Sequence, residues 1–188
     1  MNNTIQYLGM DISTSMTGVS ILEQEDNNQE PKLIYANYID TSKEDNLIDK
    51  AIVIKDFLYN LKEQYTISKI FIEDKLSNFA QGQTNALSMN KLIAFNGITS
   101  FIIYIIFKIY PIAIHPSSAR KTAWGTIPQT IKDKKFYCME KVLKKWPEFK
   151  SYIQYSKDRR TGQLKIKDKP TYDISDSITV CYAGVKNV

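Results

Sequence analysis

The chain is predicted to be an α/β protein built on a five-stranded mixed sheet flanked by helices. Two observations carry this. Three apolar runs of strand length come first, separated only by turns, and helical and strand-like patterns then alternate. The resulting order is βββαβαβ, followed by a basic helical region and a last helix. At 188 residues the chain fits one domain, large enough to bury its own core.

Taken in order, residues 4–10 and 19–23 are the arms of a hairpin across a turn at 11–18. Residues 32–39 supply a third strand after the polar stretch 24–31. An amphipathic helix is expected over 44–65. There Leu47, Ile48, Ala51, Ile52, Phe57, Leu58 and Leu61 recur at helical spacing, with Ile54 off the single face. Residues 68–72 form a fourth strand that ends at Glu73. After a loop at 74–83, a long apolar helix spans 85–107, a fifth strand spans 111–115, and the closing helix spans about 173–183. The stretch 92–114 falls short of a membrane span. Asn96, Gly97, Thr99 and Ser100 interrupt it, and Lys108 and Pro111 end it before ~20 clean apolar residues. It is expected to lie buried against the sheet and to line a dimer contact.

The apolar fraction of 43% and charged fraction of 24% are those of a soluble globular protein. Cys138 and Cys181 make no metal-ligand spacing and read as reduced thiols. The first residues have neither a basic start nor an apolar signal core, so an intracellular location is expected. The net charge of +5 is uneven: residues 116–169 carry 15 Lys/Arg against 5 Asp/Glu. Alone, such a segment reads as a solvated lysine-rich surface; beside an acidic metal site it suits a polyanion.

Four carboxylates supply that acidic site. Asp11 follows a short apolar run and precedes a turn, where turn chemistry and metal binding are both open readings. Glu73 closes an apolar strand, lies near the core, and needs a cation or a metal as partner. Asp173 and Asp176 are three apart, so on a helix they share a face; they equally suit the first turn of a helix, where acids favour the macrodipole. Topology shifts the balance. If the first and fourth strands are neighbours, Asp11 and Glu73 fall side by side and the last helix can cover that edge. Hard oxygen ligands of this kind suit Mg²⁺ or Mn²⁺ and in-line chemistry on a phosphate.

The motifs resemble those of the RuvC family of Holliday junction resolvases, within the RNase H-like nuclease superfamily. Gly9-Met10-Asp11-Ile12-Ser13 resembles the family's first strand and catalytic Asp, and Ile72-Glu73 its second motif. Asp173-Ile174-Ser175-Asp176-Ser177 resembles its final helix motif. The segment from Pro116 to Gly125, with Arg120 and Lys121, resembles the region where the family carries a basic residue ahead of a glycine. Lys134 and Lys135 stand where it has a lysine opening the next helix. The resemblance spans nearly the whole chain in the right order. It implies an RNase H-like fold and a dimeric endonuclease that nicks two strands of a four-way junction symmetrically. Asp11, Glu73, Asp173 and Asp176 would hold two Mg²⁺ (or Mn²⁺) ions per active site. Arg120, Lys121, Lys132, Lys134 and Lys135 would face DNA.

The chain departs from the family pattern in two places. Where the family often has an aromatic wedge after the catalytic Glu, this chain has Asp74, Lys75 and Leu76, with Phe79 later. Lys75, Leu76 or Phe79 would meet the junction; the alternative for Phe79 is packing on its own domain. The stretch 146–169 is longer and more basic than the family leads one to expect. Arg159 and Arg160 ahead of Thr161-Gly162 read either as an exposed hairpin gripping DNA or as a solvated loop. His115 reads as structural or substrate-side, and Trp124 and Trp146 as anchors or base-stacking residues. The opening Gly-Met-Asp-Ile-Ser also resembles a sugar-kinase phosphate loop, but 188 residues with 7 Gly hold no second domain or second such loop. Other branched DNA or flaps as substrate, or junction binding without catalysis, are the alternatives.

Overall fold

The computed structural model describes residues 4–25, 29–74, 86–158 and 160–187. Lys75, Leu76, Phe79 and Arg159 lie outside the described residues. Strands β1 (Ile5–Asp11), β2 (Met16–Gln24) and β3 (Lys32–Asp40) form an antiparallel meander. Strand β4 (Ile67–Glu73) pairs in parallel with β1, and β5 (Ile112–Ile114) in parallel with β4. The order β3-β2-β1-β4-β5 is the predicted mixed sheet, with β1 and β4 as neighbours.

The β1–β2 turn is tighter than the sequence predicts, because Asp11 pairs with Gly18. Hydroxyls satisfy its backbone: Ser13 Oγ accepts from the Ser15 and Met16 N–H groups, and Thr17 Oγ1 donates to the Ser13 carbonyl. Successive side chains on a strand point to opposite faces, and this sorts the core. Leu8, Met10, Ile70 and Ile72 pack with Ala51, Ile54, Leu58 and Leu61 of α1 (Leu47–Gln64), and with Phe95, Ile103 and Ile106 of α2 (Ala86–Phe107). Ile54 is therefore on the buried stripe, whereas Ile48 and Ile52 are exposed. Positions 51, 54, 58 and 61 keep the three–four spacing of one helical face, and positions 48 and 52 fall beside it.

Helix α2 is less buried than the sequence predicts. Phe95, Thr99, Ile103 and Ile106 face the core, but Leu87, Phe101 and Ile105 are exposed. The cause is area. Its 22 residues span ~33 Å, whereas the edge strand β5 is three residues long and α1 already covers the same face. Among the described residues, Leu87–Phe107 is the one helix long and apolar enough to cross a membrane by length and composition.

Tyr7, Leu22 and Phe71 point the other way, into a second core with α3 (Pro116–Trp124), α4 (Lys134–Lys145), a 3₁₀ turn (Pro147–Tyr152) and α5 (Asp168–Lys186). A separate hairpin, β6 (Tyr155–Lys157) and β7 (Leu164–Ile166), leads into α5. The continuous part of α5 follows the non-helical Lys169, three residues ahead of the predicted start, and lies across β1, β2 and β4.

Two glycines permit that crossing. A Cβ at Gly18 would sit 1.9 Å from the Asp173 carbonyl oxygen, and one at Gly9 would sit 2.5 Å from that of Ser177. Backbone atoms cannot rotate aside, so Gly18→Ala is expected to cost about 1–3 kcal/mol, read as a lower denaturant midpoint. Ser20→Ala, at a buried hydroxyl without a hydrogen-bond partner on the same strand, is expected to cost under about 1 kcal/mol. Equal midpoints for Gly18→Ala and the parent chain would contradict the close approach.

Candidate active site

The alternation that sends Tyr7 and Phe71 toward α5 also sends Asp11 and Glu73 there, at the ends of the parallel neighbours β1 and β4. Helix α5 brings Asp173 and Asp176 to the same place. All four carboxylates are buried, with relative exposures of 4%, 7%, 4% and 4% for Asp11, Glu73, Asp173 and Asp176. One oxygen from each of Asp11, Glu73 and Asp176 lies within 4.8 Å of the others. Asp173 stands beside this trio, and its Oδ2 is buried without a hydrogen-bond partner. No side chain makes an N-cap hydrogen bond at the start of α5, so neither aspartate caps it.

Collecting carboxylates in one buried place raises the proton affinity of the two on α5. Burial, then the Asp11 charge, pushes Asp173 up to about 6, against the opposing pull of Lys135 and Lys169. Asp176 is raised for the same two reasons and held back by Lys135 and Arg120. A divalent cation fits this donor set: the ligands are hard oxygens, and one of them is an orphaned buried carboxylate oxygen.

No protein-family model and no curated protein matches the chain. Solved structures do match. Thermus thermophilus RuvC, in complex with a Holliday junction substrate, gives a TM-score of 0.65 at 8% identity, covering 95% of this chain and 92% of that one. Fowlpox virus resolvase with its Holliday junction DNA gives 0.56 at 14% identity over 97% and 98%. The yeast mitochondrial Holliday junction resolvase Ydc2 gives 0.60 at 13% identity over 96% and 77%. The chain has the fold of the Holliday junction resolvases.

On this resolvase fold the basic residues divide into an inner and an outer set. Arg120 Nη2 lies 3.7 Å from Asp176 Oδ1, and Lys135 Nζ lies 3.4 Å from Asp176 Oδ2. Burial works against the Lys135 ammonium, but Asp176, Asp11 and Asp173 together hold its pKa above the ordinary lysine value. Lys121 on α3, Lys132 just ahead of α4 and Lys134 at its start are exposed and make no ion pair with the cluster among the described contacts. Arg160 is exposed at the tip of the β6–β7 hairpin, where its N–H donates to Asp158 Oδ1. His115 has a structural role: its Nδ1 accepts from the Ser117 N–H and caps α3. The two tryptophans are anchors. Trp124 Nε1 donates to Thr179 Oγ1, and Trp146 Nε1 to the Pro31 carbonyl.

One residue escaped the sequence reading. Lys169 donates from Nζ to Ser15 Oγ at 3.0 Å, and its charge works to lower the pKa of Asp173. A signal was present, since a lysine at a helix N-terminus opposes the macrodipole and calls for a nearby anion.

The raised pKa of Asp173 has a consequence for stability. The folded state holds this proton more tightly than the unfolded chain does. The associated stability is full below the ordinary value of 3.8 and is lost as pH rises through about 6. In chelator, the wild type is expected to lose stability between pH 4 and 7, with Asp173 contributing at most about 3 kcal/mol of the fall. Asp173→Asn is expected to flatten that fall, and millimolar Mg²⁺ to reverse it in the wild type at pH 7. Thermal unfolding across pH checks all three outcomes.

Proposed function

We propose that the chain is a metal-dependent endonuclease that resolves four-way DNA junctions by paired symmetric nicks. The observation that carries this reading is the convergence of Asp11, Glu73, Asp173 and Asp176 beside a basic flank, on a fold shared with resolvases across 95% of the chain. A protein that only bound DNA would gain nothing by burying four carboxylates next to phosphates. The four would hold two Mg²⁺ or Mn²⁺ ions, whose charge they balance. Bound there, such ions stabilise charge on reacting phosphate oxygens and make a coordinated water more acidic.

The chain's own residues do the positioning. Asp11 and Glu73 are fixed by sheet pairing, and Asp173 and Asp176 by the seat of α5 on that sheet. Arg120 and Lys135 offset the negative cluster and stand where the charge of an incoming phosphodiester needs neutralising. Lys121, Lys132, Lys134 and Arg160 would extend the cationic path outward.

A four-way junction offers two equivalent strands, so a two-fold dimer is the simplest way to make paired cuts. Helix α2 is proposed as its centre. Leu87, Phe101 and Ile105 are exposed on it, and nothing lies within 4 Å of where a Gly97 Cβ would sit. A groove of about 570 Å³ runs along the same helix past Gly97, Phe101 and Tyr104 to Tyr110.

The reading is tested by incubating the protein and Mg²⁺ with a labelled four-way junction, a flap, a duplex and an RNA–DNA hybrid. The junction is expected to be cut in preference to the rest, on two opposed strands. Preference for the flap would overturn the assigned substrate. Asp11→Asn is expected to lower the cutting rate by more than about 100-fold and to change junction affinity less than about threefold. Undiminished cutting would remove the carboxylate cluster from the chemistry. Separately, light scattering at micromolar concentration should give the mass of a dimer for the wild type and of a monomer for Phe101→Glu. A monomeric wild type that still cuts both strands would dispose of the dimer.

A further inference from the structure

The β6–β7 ribbon forms a sheet of its own just ahead of α5. Its register pairs Tyr155 with Ile166, Ser156 with Lys165 and Lys157 with Leu164, which puts Tyr155, Lys157, Leu164 and Ile166 on one face. The tip is a built turn. Asp158 Oδ1 accepts from the Arg160 and Thr161 N–H groups, the Asp158 N–H donates to the Gln163 carbonyl, and Gly162 reverses the chain at a φ of 70°. At the base, the Lys167 N–H donates to the Gln154 carbonyl, and the Gln154 N–H to Thr171 Oγ1 at the head of α5. Ile166 packs against the core, whereas Tyr155 and Leu164 are 52% and 69% exposed. Residues 155–167 carry five Lys/Arg against one Asp, and that Asp is engaged by the turn and by Lys165, 3.6 Å away.

A lone pair of strands holds poorly in water, yet this one leaves two large apolar side chains exposed amid strong positive charge. We infer that the ribbon enters the major groove of a duplex arm of the junction, within about one helical turn (~10 base pairs) of the cut. The inference rests on the nuclease reading above and deepens it, by naming what meets the stretch that the family pattern does not account for. Width decides the groove. Two strands ~4.8 Å apart, with side chains at both edges, fill the ~12 Å major groove and cannot enter the ~6 Å minor groove. Reach decides the distance. From Gln154 to Asp158 the chain advances ~13 Å, the rise of about four base pairs, from a base hydrogen-bonded to the helix that carries Asp173 and Asp176. In the groove, Tyr155 and Leu164 would lie against base edges and thymine methyl groups, with Lys157 and Arg160 against the phosphates at its sides. The ribbon touches no reacting atom. It determines specificity, because it engages a substrate only where a duplex arm leaves the cut at a fixed angle.

The test compares a parent carrying Asp11→Asn, so that the junction survives, with two variants made on it: Tyr155→Ser/Leu164→Ser and Lys157→Gln/Arg160→Gln. All four side chains are exposed, so unchanged thermal midpoints are expected. Junction affinity, read by fluorescence anisotropy, is expected to fall about tenfold in each variant. The apolar pair should leave the slope of log affinity against log salt as it was, and the cationic pair should flatten it by about 2. A second measurement needs no variant. Methylation of guanine N7, which lies in the major groove, is expected to interfere with binding by the parent at a cluster of arm positions. That interference should vanish in the apolar variant and persist near the crossover. Interference at adenine N3 alone, in the minor groove, or none on any arm, overturns the ribbon's role and leaves the nuclease reading standing. A parent that does not prefer the junction over a duplex of equal length overturns both. Capture of the parent by anionic lipid vesicles, without arm-specific interference, would also overturn the assignment to DNA.

Discussion

Everything at the candidate site depends on how closely α5 approaches the sheet. The Gly18 and Gly9 positions leave no space for a Cβ between strand and helix backbone, and the helix side answers with Ser177 and Cys181. Cys181 Sγ reaches the Tyr7 carbonyl at 3.3 Å across this seam. A helix held one side-chain layer farther away would bury the same apolar area with larger residues. It would, however, carry Asp173 and Asp176 out of range of Asp11 and Glu73. The packing and the constellation are one constraint, met by small residues on both sides.

That constraint brings an electrostatic cost. Buried carboxylates repel one another and lose hydration, as the raised proton affinities of Asp173 and Asp176 register. The fold offsets part of this with cations from three directions: Arg120 on α3, Lys135 on α4 and Lys169 at the head of α5. The offset is incomplete, since Asp173 Oδ2 stays buried without a hydrogen-bond partner. Stored repulsion of this kind is what lets a site take up divalent ions. The same arrangement places positive charge around the rim, where a polyanion would approach.

The second half of the chain supplies that rim. Its helices α3 and α4 pack on α5 through Ala119, Ala123, Met139 and Val142, so the basic face is tied to the helix that carries two of the acids. The aromatic group of Trp124, Trp146 and Tyr182 locks this layer, with Trp146 set edge-on to both of the others. Helix α2 lies on the far face of the sheet. Its exposed apolar side carries Leu87, Phe101 and Ile105.

The sequence alone determined the sheet, its element order and all four acids. The sheet follows from two-residue alternation and helical spacing, and Asp11 and Glu73 from apolar runs that end in a carboxylate, whereas Asp173 and Asp176 were singled out by their spacing and by the family resemblance. It also placed Arg120 and Lys135 in the right neighbourhood. Contacts between segments distant in the chain were not legible. Lys169 meeting Ser15 across 154 positions, Ile54 on the buried stripe of α1, and the exposure of α2 depend on which surfaces compete for the same area. Tertiary structure decided these features, for periodicity tells a residue which face of its own element it occupies and not what stands opposite.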